Sequence, residues 1–409
     1  MTSPSPCHTV LNTFELSDLI FKFVHDPDWP AELHPCALVS RKFSAQAQSH
    51  LFHTIDIPCH ALIRILAPID IATRLHRILA IAPHLRALIR NLRVPMDRDT
   101  LRCVLDMHLA HVNAVHIVGS DMLDTNALTT AGELIALPTL HTVSISGPIT
   151  HPNSLSLLFA NAHACIQTVS IQPELPGFGQ AVQIRSDWKL SMMPVKAFSD
   201  ADRLPLKDLR LGGDVAAVER WLSGDHCPFD VKAVSTLRLT RGRWLYGLGS
   251  ETVLDVTSAN IECLIVDYGQ IVPIDSIDAS PNFTLLRRLQ LTYVHNPIHI
   301  LSILPAQLFH LQHFALGLQS LDTWVTTQLE TPGIQEYEEW LAIDSAVASM
   351  ELPSLISFTL LINLSNVARM TPRGDWRRLW RELKPRMIKE VPNGFPEMYR
   401  RGVLEVDLA

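Results

Sequence analysis

Paired histidines are the residues of this chain that come nearest to a metal-binding pattern. Three pairs are spaced i, i+3 and one is spaced i, i+4; they are His50/His53, His108/His111, His310/His313 and His295/His299. Zinc proteins that use paired histidines add the glutamate of the His-Glu-x-x-His pattern or cysteines at regular spacing. None of these pairs has either addition, and Pro297 interrupts the last one. We therefore expect no metal site.

Glycine-bearing turns and carboxylates form no catalytic pattern either. Gly247–Ser250 and Gly177–Gly179 do not lead into the Lys-Ser/Thr pair of a phosphate-binding loop. The Gly-x-Ser-x-Gly turn of hydrolases does not occur, and the carboxylates show no recognisable pairing. We expect a protein with no cofactor and no active site of its own, which leaves binding as its activity.

Composition predicts a globular protein of the cytoplasm or nucleus. Hydrophobic residues make up 47% of the 409 positions and charged residues 18%, which suits a large core. The net charge of −7 does not favour nucleic-acid binding. The seven cysteines include no Cys-x-x-Cys, a pattern typical of reduced thiols. No signal peptide or membrane span is expected, since the N-terminus lacks Lys, Arg and an apolar run and Pro353 interrupts the least charged apolar stretch.

A short motif, apolar-x-x-apolar-x-apolar, recurs ten times and indicates a repeat architecture. Its last positions are Val94, Ile117, Ile145, Ile171, Leu211, Leu239, Val266, Leu291, Leu316 and Leu360. Seven of the nine steps between them lie between 23 and 28 residues, while the steps of 40 and 44 residues predict insertions at about 172–205 and 318–354.

The motif and the segments between its copies predict strands alternating with helices. The second and third apolar positions are two residues apart, so on a strand they point to the same side. Helix-compatible segments such as 127–137 and 297–311 lie between copies. One strand and one helix cannot bury their apolar sides alone, but stacked copies can. We therefore predict an α/β solenoid over residues 85–365.

The repeats resemble leucine-rich repeats, and this resemblance implies a horseshoe with parallel strands on the concave face and helices outside. That family places Asn or Cys three residues after the last strand position, and here only Asn363 obeys the rule. The turns are therefore expected to be irregular. A generic α/β fold is the alternative, because apolar triplets are common in α/β chains.

An N-terminal segment predicts two short apolar helices. Leu16, Leu19, Ile20, Phe23 and Val24 form one wide stripe at helical spacing. Proline and tryptophan at 27–30 end that helix, and Leu38, Val39 and Phe43 supply a second stripe. So small a bundle cannot bury this many apolar residues internally. Some of them must face a partner or, as the alternative, cap the repeat array.

Residues 10–57 resemble an F-box. The similarity lies in Glu15-Leu16, Leu19-Ile20-Phe21, the run from Cys36 to Phe43, and Leu51 to Ile55, while Asn12-Thr13 replaces the usual Leu-Pro and Phe43 the usual Trp. The resemblance implies binding to the Skp-type adaptor of a cullin ubiquitin ligase. The predicted adaptor-binding residues are Phe14, Leu16, Leu19, Ile20, Phe23, Leu38, Val39 and Phe43.

The residue between the second and third apolar positions of each repeat should line the concave face of the array. The candidate substrate-binding residues among them are Arg93, His116, Arg210, Arg238 and Gln290. Arg210 and Arg238 come from neighbouring units and should lie about 5 Å apart. Two adjacent cations suit an acidic or phosphorylated substrate segment. The alternative is a solvated pair, or neutralisation by Asp208 and Asp267.

The C-terminal segment is basic. Residues 369–401 carry ten Lys or Arg and four acids, and Trp376, Leu379, Trp380 and Leu383 follow the spacing of an amphipathic helix. This helix is predicted either to cap the array or to dock onto a partner or a membrane surface.

Together these patterns predict four regions: an F-box-like module at 10–57, a linking helix at 58–84, the repeat array at 85–365 and a basic helix and tail at 366–409. The predicted function is substrate recognition for a Skp-cullin-F-box ubiquitin ligase, with an unknown protein as substrate and no nucleic acid as partner. The alternative is a non-catalytic repeat scaffold that binds proteins without a ligase.

Overall fold

The computed structural model describes only part of the chain. The described residues are 47–58, 67–119, 125–147, 152–173, 195–212, 216–240, 257, 259–267, 283–292, 298, 301, 308–317, 338–362, 385, 389 and 391–408. They form two compact units. The first unit holds the described residues up to 147 together with 157–166, and the second holds 152–156, 167–173 and those from 195 onwards.

The fold is α/β, with twelve strands in parallel sheet and helices between them. The strands are β1 Thr54–Asp56, β2 Asn91–Pro95, β3 Ala114–Val118, β4 Thr142–Gly147, β5 Thr168–Pro173, β6 Leu204–Pro205, β7 Asp208–Gly212, β8 Phe229–Asp230, β9 Thr236–Thr240, β10 Cys263–Asp267, β11 Arg288–Thr292, β12 His313–Gly317, β13 Ser357–Ile362 and β14 Leu404–Leu408. The helices are α1 Pro68–Ile81, α2 Arg98–Asp106, α3 Thr125–Ile135, α4 Pro152–Phe159, α5 Ala216–Leu222, α6 Glu338–Ser349 and α7 Pro396–Arg400. Short 3₁₀ helices occupy Pro83–Leu88, Asp200–Asp202 and Val231–Ala233.

In the first unit, β1 to β4 pair in parallel in chain order. A helix follows each of the first three strands, and α2 packs against both α1 and α3. Parallel neighbours need such crossover connections, and the helices bury the side of the sheet that they cross. Helix α1 buries Ala72, Leu75 and Leu79, which lie three or four residues apart along one side.

Helix α2 explains one departure from the leucine-rich pattern. Asp97 stands where that family has Asn or Cys, and here it is the N-cap residue of α2. Its carboxylate accepts hydrogen bonds from the backbone N–H of Thr100 at 2.9 Å and from the Thr100 hydroxyl at 2.6 Å. This pairing satisfies an N–H that the helix leaves without an internal partner. The side chain at this position therefore starts a helix.

In the second unit, eight strands pair in parallel in the order β5, β7, β9, β10, β11, β12, β13, β14. Strands β6 and β8 form a separate two-stranded pair in the connections. The insertion predicted at about 172–205 ends with strand β6, and the insertion predicted at about 318–354 contains helix α6. Insertions between repeats therefore leave the register of the main strands unchanged.

Each of the ten predicted repeats contributes a strand, which confirms the prediction of a parallel α/β fold. Within each unit the second and third apolar positions pair across neighbouring strands, as in Leu237 with Leu264 and Leu239 with Val266. All thirty apolar positions of the motif are buried except Val266 and Leu355, which are half-buried. Burial of each large aliphatic side chain is worth about 1.5–3 kcal/mol, so these positions fix the register.

A backbone ladder repeats just before the strands in both units. The carbonyl two residues before the second apolar position accepts two N–H groups from the next repeat. In the first unit Arg90 accepts from Asn113 and Ala114, and in the second unit Glu262 accepts from Arg287 and Arg288 at 2.8 and 2.9 Å. The other acceptors of this kind are His53, Asn113, Gln167, Lys207, Ser235, Arg287 and Gln312. Within each unit the ladder ties neighbouring repeats together without a side chain.

The C-terminal residues add a strand that the sequence did not predict. β14 pairs with β13, with Leu404 opposite Phe358. The buried carboxylate of Asp344 in α6 accepts hydrogen bonds from the backbone N–H groups of Glu397 and Met398, at 2.8 and 3.1 Å. These two N–H groups lie in the first turn of α7, where a carboxylate is favourable. Asp344 thereby fixes the segment that leads into β14.

Aromatic rings pack beneath the same segment. Phe395 stacks on Trp340 with ring centres 5.9 Å apart and lies 5.8 Å from Phe358, which in turn meets Phe314 edge-to-face at 5.3 Å. Gly394 permits this approach, because a Cβ there would lie 2.6 Å from the Trp340 ring. The residues 391–408 are thus integrated into the core of the second unit.

Several predictions meet the structure only in part. Helix α3 confirms the helix expected at 127–137, whereas the segment 297–311 lies mostly outside the described residues. Helix α1 lies within the range 58–84 assigned to a linking helix. The F-box-like helices up to residue 46 and the basic amphipathic helix at 376–383 lie outside the described residues. Among the described residues, no helix is both long and apolar enough to cross a membrane.

Candidate functional site

The strands of the second unit carry their polar residues on the side opposite the buried apolar positions. We call this side the polar face and divide it into three rows of residues in register across the strands. The first row is Asp208, Thr236, Cys263, Arg288, His313 and Ser357. The middle row is Ser170, Arg210, Arg238, Ile265, Gln290, Ala315, Thr359 and Glu405. The last row is Gly212, Thr240, Asp267, Thr292, Gly317, Leu361 and Asp407.

Arg210 is held by the carboxylate of Asp208 on its own strand. The Nε of Arg210 donates to both carboxylate oxygens, at 3.3 and 3.1 Å, and Nη2 donates to Oδ2 at 2.7 Å. The hydrogen bond to Asp208 raises the pKa of the Arg210 guanidinium above its usual value. A two-point contact of this kind fixes the plane of the guanidinium as well as its charge.

Arg238 is held by a carboxylate from the next strand. Its Nε and Nη2 both donate to Oδ2 of Asp267, at 2.9 and 2.7 Å. Asp208 and Asp267 thus neutralise the two neighbouring arginines, which is the second of the two interpretations drawn from the sequence. Two guanidiniums can therefore lie side by side without an external anion.

The ion pairs are layered. The side chains of Arg210 and Arg238 are 46% and 40% exposed, whereas those of Asp208 and Asp267 are 19% and 11% exposed. An approaching molecule meets guanidinium groups in the outer layer and carboxylates beneath them. The pairs are close to neutral in sum, but the accessible surface over β7 and β9 is cationic.

A third arginine of the polar face lies at the start of β11. Arg288 is exposed, and its guanidinium makes no ion pair or hydrogen bond with any residue in the part of the chain that the structure describes. It stands two strands from Arg238, with β10 between them. Strands β7 to β11 therefore carry three arginines and two aspartates on this face.

Cys263 on β10 lies between these arginines. Burial raises the pKa of its thiol, while the positive charges of Arg288 and Arg238 act to lower it. The negative charge of Asp208 also raises it. Arg288 stands opposite Cys263 on one neighbouring strand, and Arg238 lies on the neighbouring strand at its other side. Cys263 is half-buried, so its thiol reports on this part of the face.

The polar face changes character towards β14. The Gln290 amide donates to the Thr292 hydroxyl at 3.2 Å, and the His313 Nδ1 pairs with the Ser357 hydroxyl at 2.9 Å. At the far end the Thr359 hydroxyl donates to the carboxylate of the exposed Glu405 at 3.3 Å. The face thus runs from arginines at β7–β11, through neutral residues, to acidic side chains at β14.

The first unit has a smaller polar row of the same kind. Arg93 pairs with Asp56 of the neighbouring strand at 3.3 Å, with both side chains about half exposed. His116 pairs through Nε2 with the hydroxyl of Ser146 at 3.0 Å. The sequence-predicted residues Arg93 and His116 therefore lie in register, on neighbouring strands, and each has a partner within its own unit.

Hydrolytic chemistry gains no support from the two Ser–His pairs. A serine nucleophile must be reached by its substrate, and Ser146 and Ser357 are each only 7% exposed. Among the described residues there is also no group of three or more His, Cys, Asp or Glu side chains that could hold a metal ion. A groove between α2 and α3 is charged, but Arg102 closes onto Glu133 across it at 3.2 Å.

Sequence reasoning places Arg210, Arg238 and Gln290 in one row, and the structure brings these three together. It missed Arg288, because only the residue between the second and third apolar positions was assigned to the face. Arg288 lies two residues before Gln290, so the same alternation puts it on the same side. The predicted adaptor-binding residues, from Phe14 to Phe43, lie outside the described residues.

No protein-family model matches this chain, and no curated protein matches it in sequence.

Proposed function

We propose that this chain is a substrate-recognition subunit of a Skp-cullin-F-box ubiquitin ligase. Its N-terminal helices would bind the adaptor and its repeats a protein substrate. The observation that carries the proposal is the combination of an F-box-like segment at 10–57 with ten repeats whose polar residues stand in register within each of the two units.

The finer fold belongs to the same proposal. The repeats would form a leucine-rich-repeat-like horseshoe, with the polar face on its concave side. The backbone ladder supports this reading, because the same carbonyl position accepts the same two N–H groups in both units. A constant step between neighbours is what a repeat array requires, since each repeat then contacts only the next.

The N-terminal part of the proposal depends on apolar anchors. A few buried side chains usually dominate a protein interface. Leu16, Leu19 and Ile20 on the first predicted helix, with Leu38, Val39 and Phe43 on the second, would fill that role. Phe43 would supply the aromatic anchor where related modules carry tryptophan.

The mechanism would be proximity. One arm holds the adaptor and thereby a ubiquitin-charged enzyme, and the other holds a target lysine within reach. Joining two binding sites in one chain converts a dilute encounter into a local one with a high effective concentration. No chemistry by side chains of this chain is then needed.

Binding to the purified Skp-type adaptor tests the proposal. The full chain and its Ile20→Glu variant are titrated with adaptor in a calorimeter. Losing one buried aliphatic contact worth about 1.5–3 kcal/mol lowers affinity about 10-fold to 100-fold, and a buried charge lowers it further. Ile81→Glu provides the matched control, because Ile81 on α1 is 85% exposed.

The outcomes separate the two candidate functions. Adaptor binding that survives Ile81→Glu and is lost with Ile20→Glu, in variants whose circular dichroism matches wild type, supports the ligase subunit. If the wild-type chain is folded but does not bind the adaptor, the ligase function is rejected. The alternative function, a repeat scaffold that binds proteins without a ligase, is then favoured. The regular polar face favours that scaffold as the second candidate.

A further inference from the structure

We propose that the polar face between β7 and β11 binds an extended acidic peptide, whose carboxylates are received by Arg288 and Arg238, with Arg210 as the neighbouring site. This proposal names the chemistry of the substrate segment in the proposed function. It rests on that function only where it identifies the bound peptide as part of a ligase substrate.

Arg288 is the primary anchor in this proposal. Its exposed guanidinium has no partner among the described residues, so a carboxylate could join it without displacing one. A guanidinium and a carboxylate meet through two parallel hydrogen bonds, which gives geometric selectivity as well as attraction.

Arg238 is a prepared second contact. Asp267 engages Nε and Nη2, which fixes the guanidinium plane and leaves Nη1 outside the pair. The side chain of Asp267 is 11% exposed and that of Arg238 is 40% exposed, so a ligand reaches the arginine before the aspartate. A group held in place by its own protein loses less conformational freedom on binding.

The two anchors set a spacing for the ligand. They stand on β9 and β11, two inter-strand distances apart, and Arg238 lies two residues further along its strand than the residue in register with Arg288, so their backbones are about 12 Å apart. An extended peptide rises about 3.3 Å per residue and alternates its side chains between two sides, so carboxylates four residues apart point to the same side, about 13 Å from each other, and match this separation. Ile265, half-buried on the strand between, offers an apolar contact for the residues between the two acids.

Carboxylates fit this face better than a phosphate group. The three arginines are spread over three inter-strand distances, and two of them are each already paired with an aspartate. Singly charged groups at intervals suit such a surface, whereas a dianion is best matched by several free donors at one point. Glu405 at the far end of the face repels acids and so limits the acidic part of the peptide to β7–β11.

Fluorescence anisotropy with the full chain and no adaptor tests the proposal. The probe is a labelled Ser/Gly peptide with two glutamates four residues apart, compared with its glutamine and phosphoserine counterparts. We expect the glutamate peptide to bind, and Arg288→Gln and Arg238→Gln each to weaken it about tenfold, as loss of a charged hydrogen bond does. Arg287→Gln, an exposed arginine one residue before β11, should leave binding unchanged.

Alkylation of cysteine gives a second readout that locates the peptide. Bound peptide should lower the rate at which Cys263 reacts with iodoacetamide, in proportion to the fraction of the protein that has bound peptide. Mass spectrometry measures this rate. Cys103 and Cys165, half-buried in the first unit, should react at the same rate with and without peptide.

Each outcome bears on the proposal. Equal affinity for the glutamine peptide, or unchanged binding in both arginine variants, overturns it. Tighter binding of the phosphoserine peptide with the same protection of Cys263 overturns the assignment to carboxylates. Because no adaptor is present, peptide binding together with a failed adaptor titration rejects the ligase proposal alone.

Discussion

On one face of strands β7 to β13 the same class of residue returns in every repeat, whereas on the other face neighbouring repeats seldom agree. The second apolar positions are Leu209, Leu237, Leu264, Leu289, Phe314 and Phe358, all of them buried. The residues that follow them are Arg210, Arg238, Ile265, Gln290, Ala315 and Thr359. The fold constrains the first series far more than the second.

The contrast has an energetic origin. A large apolar side chain gains about 1.5–3 kcal/mol from burial, so a polar replacement on the apolar face is costly. An exposed ion pair contributes about 0–1 kcal/mol, so its residues can change without loss of the fold. Binding specificity can therefore vary on the polar face while the apolar face keeps the repeats in register.

Removing a ring from the apolar face should give the largest effect. Phe358→Ala leaves a cavity between Phe314 and Phe395, whose rings lie 5.3 and 5.8 Å away. We expect the free energy of unfolding to fall by about 3–5 kcal/mol. Urea denaturation followed by circular dichroism measures it.

Phe309→Ala is the matched control, because Phe309 is 51% exposed. Its cost should stay within about 0.5 kcal/mol. Similar losses in both variants would contradict the distinction between the two positions.

Removing the buried carboxylate of Asp344 in α6 should give the second largest loss of stability. Asp344→Ala leaves the N–H groups of Glu397 and Met398 without their acceptor, and we expect a loss of about 2–3 kcal/mol. Hydrogen exchange should also show faster opening of β14 than of β13, since Asp344 holds the segment before β14.

The exposed Glu351→Ala serves as the control for Asp344→Ala. Equal exchange rates for β13 and β14 in the Asp344 variant would show that strand pairing alone holds the C-terminal segment.

The buried thiol of Cys227 should make the stability of the fold depend on pH. Burial raises the pKa of Cys227 to about 12, against about 8.5 for an unfolded cysteine. The unfolded state therefore loses its proton first as pH rises, and the folded state becomes relatively less stable above pH ~8.5. The stability advantage of wild type over Cys227→Ala should shrink by about 1.4 kcal/mol per pH unit between pH ~8.5 and 10. A difference that stays constant over this range would show that the thiol ionises freely in the fold.

Much of the apolar face could be predicted from the sequence, because one spacing recurs. Two of the twelve main strands, β1 and β14, were not predicted and show where the spacing misleads. Phe52, Ile55 and Ile57 carry the same spacing, but their position beside the N-terminal helices favours assigning them to that module. In β14 the second and third positions are Leu404 and Val406, while Arg401 occupies the first and hides the motif.

The polar face was less predictable, because its ion pairs depend on register. Asp208 lies two residues from Arg210, so that pair can be found along one strand. Asp267 reaches Arg238 from the next strand, 29 residues later, and only the alignment of neighbouring repeats brings them together. The layering of exposed arginine over buried aspartate needs side-chain positions that a sequence does not contain.

The smallest effect should come from the arginine without a partner. Arg288→Gln removes an exposed guanidinium that pairs with no described residue, so the free energy of unfolding should change by less than about 0.5 kcal/mol, as for Arg287→Gln. Arg238→Gln should cost about 1 kcal/mol, because it leaves the Asp267 carboxylate without its partner, although solvent screens the pair. Urea denaturation of the three variants measures the ranking. A cost above about 1 kcal/mol for Arg288→Gln would make Arg288 a structural residue, and weaker peptide binding in that variant could then reflect a change in the fold. If the free energy of unfolding of Arg288→Gln is unchanged, weaker peptide binding in that variant must come from a lost contact with the peptide. Arg288 would then contribute to binding and not to the stability of the fold.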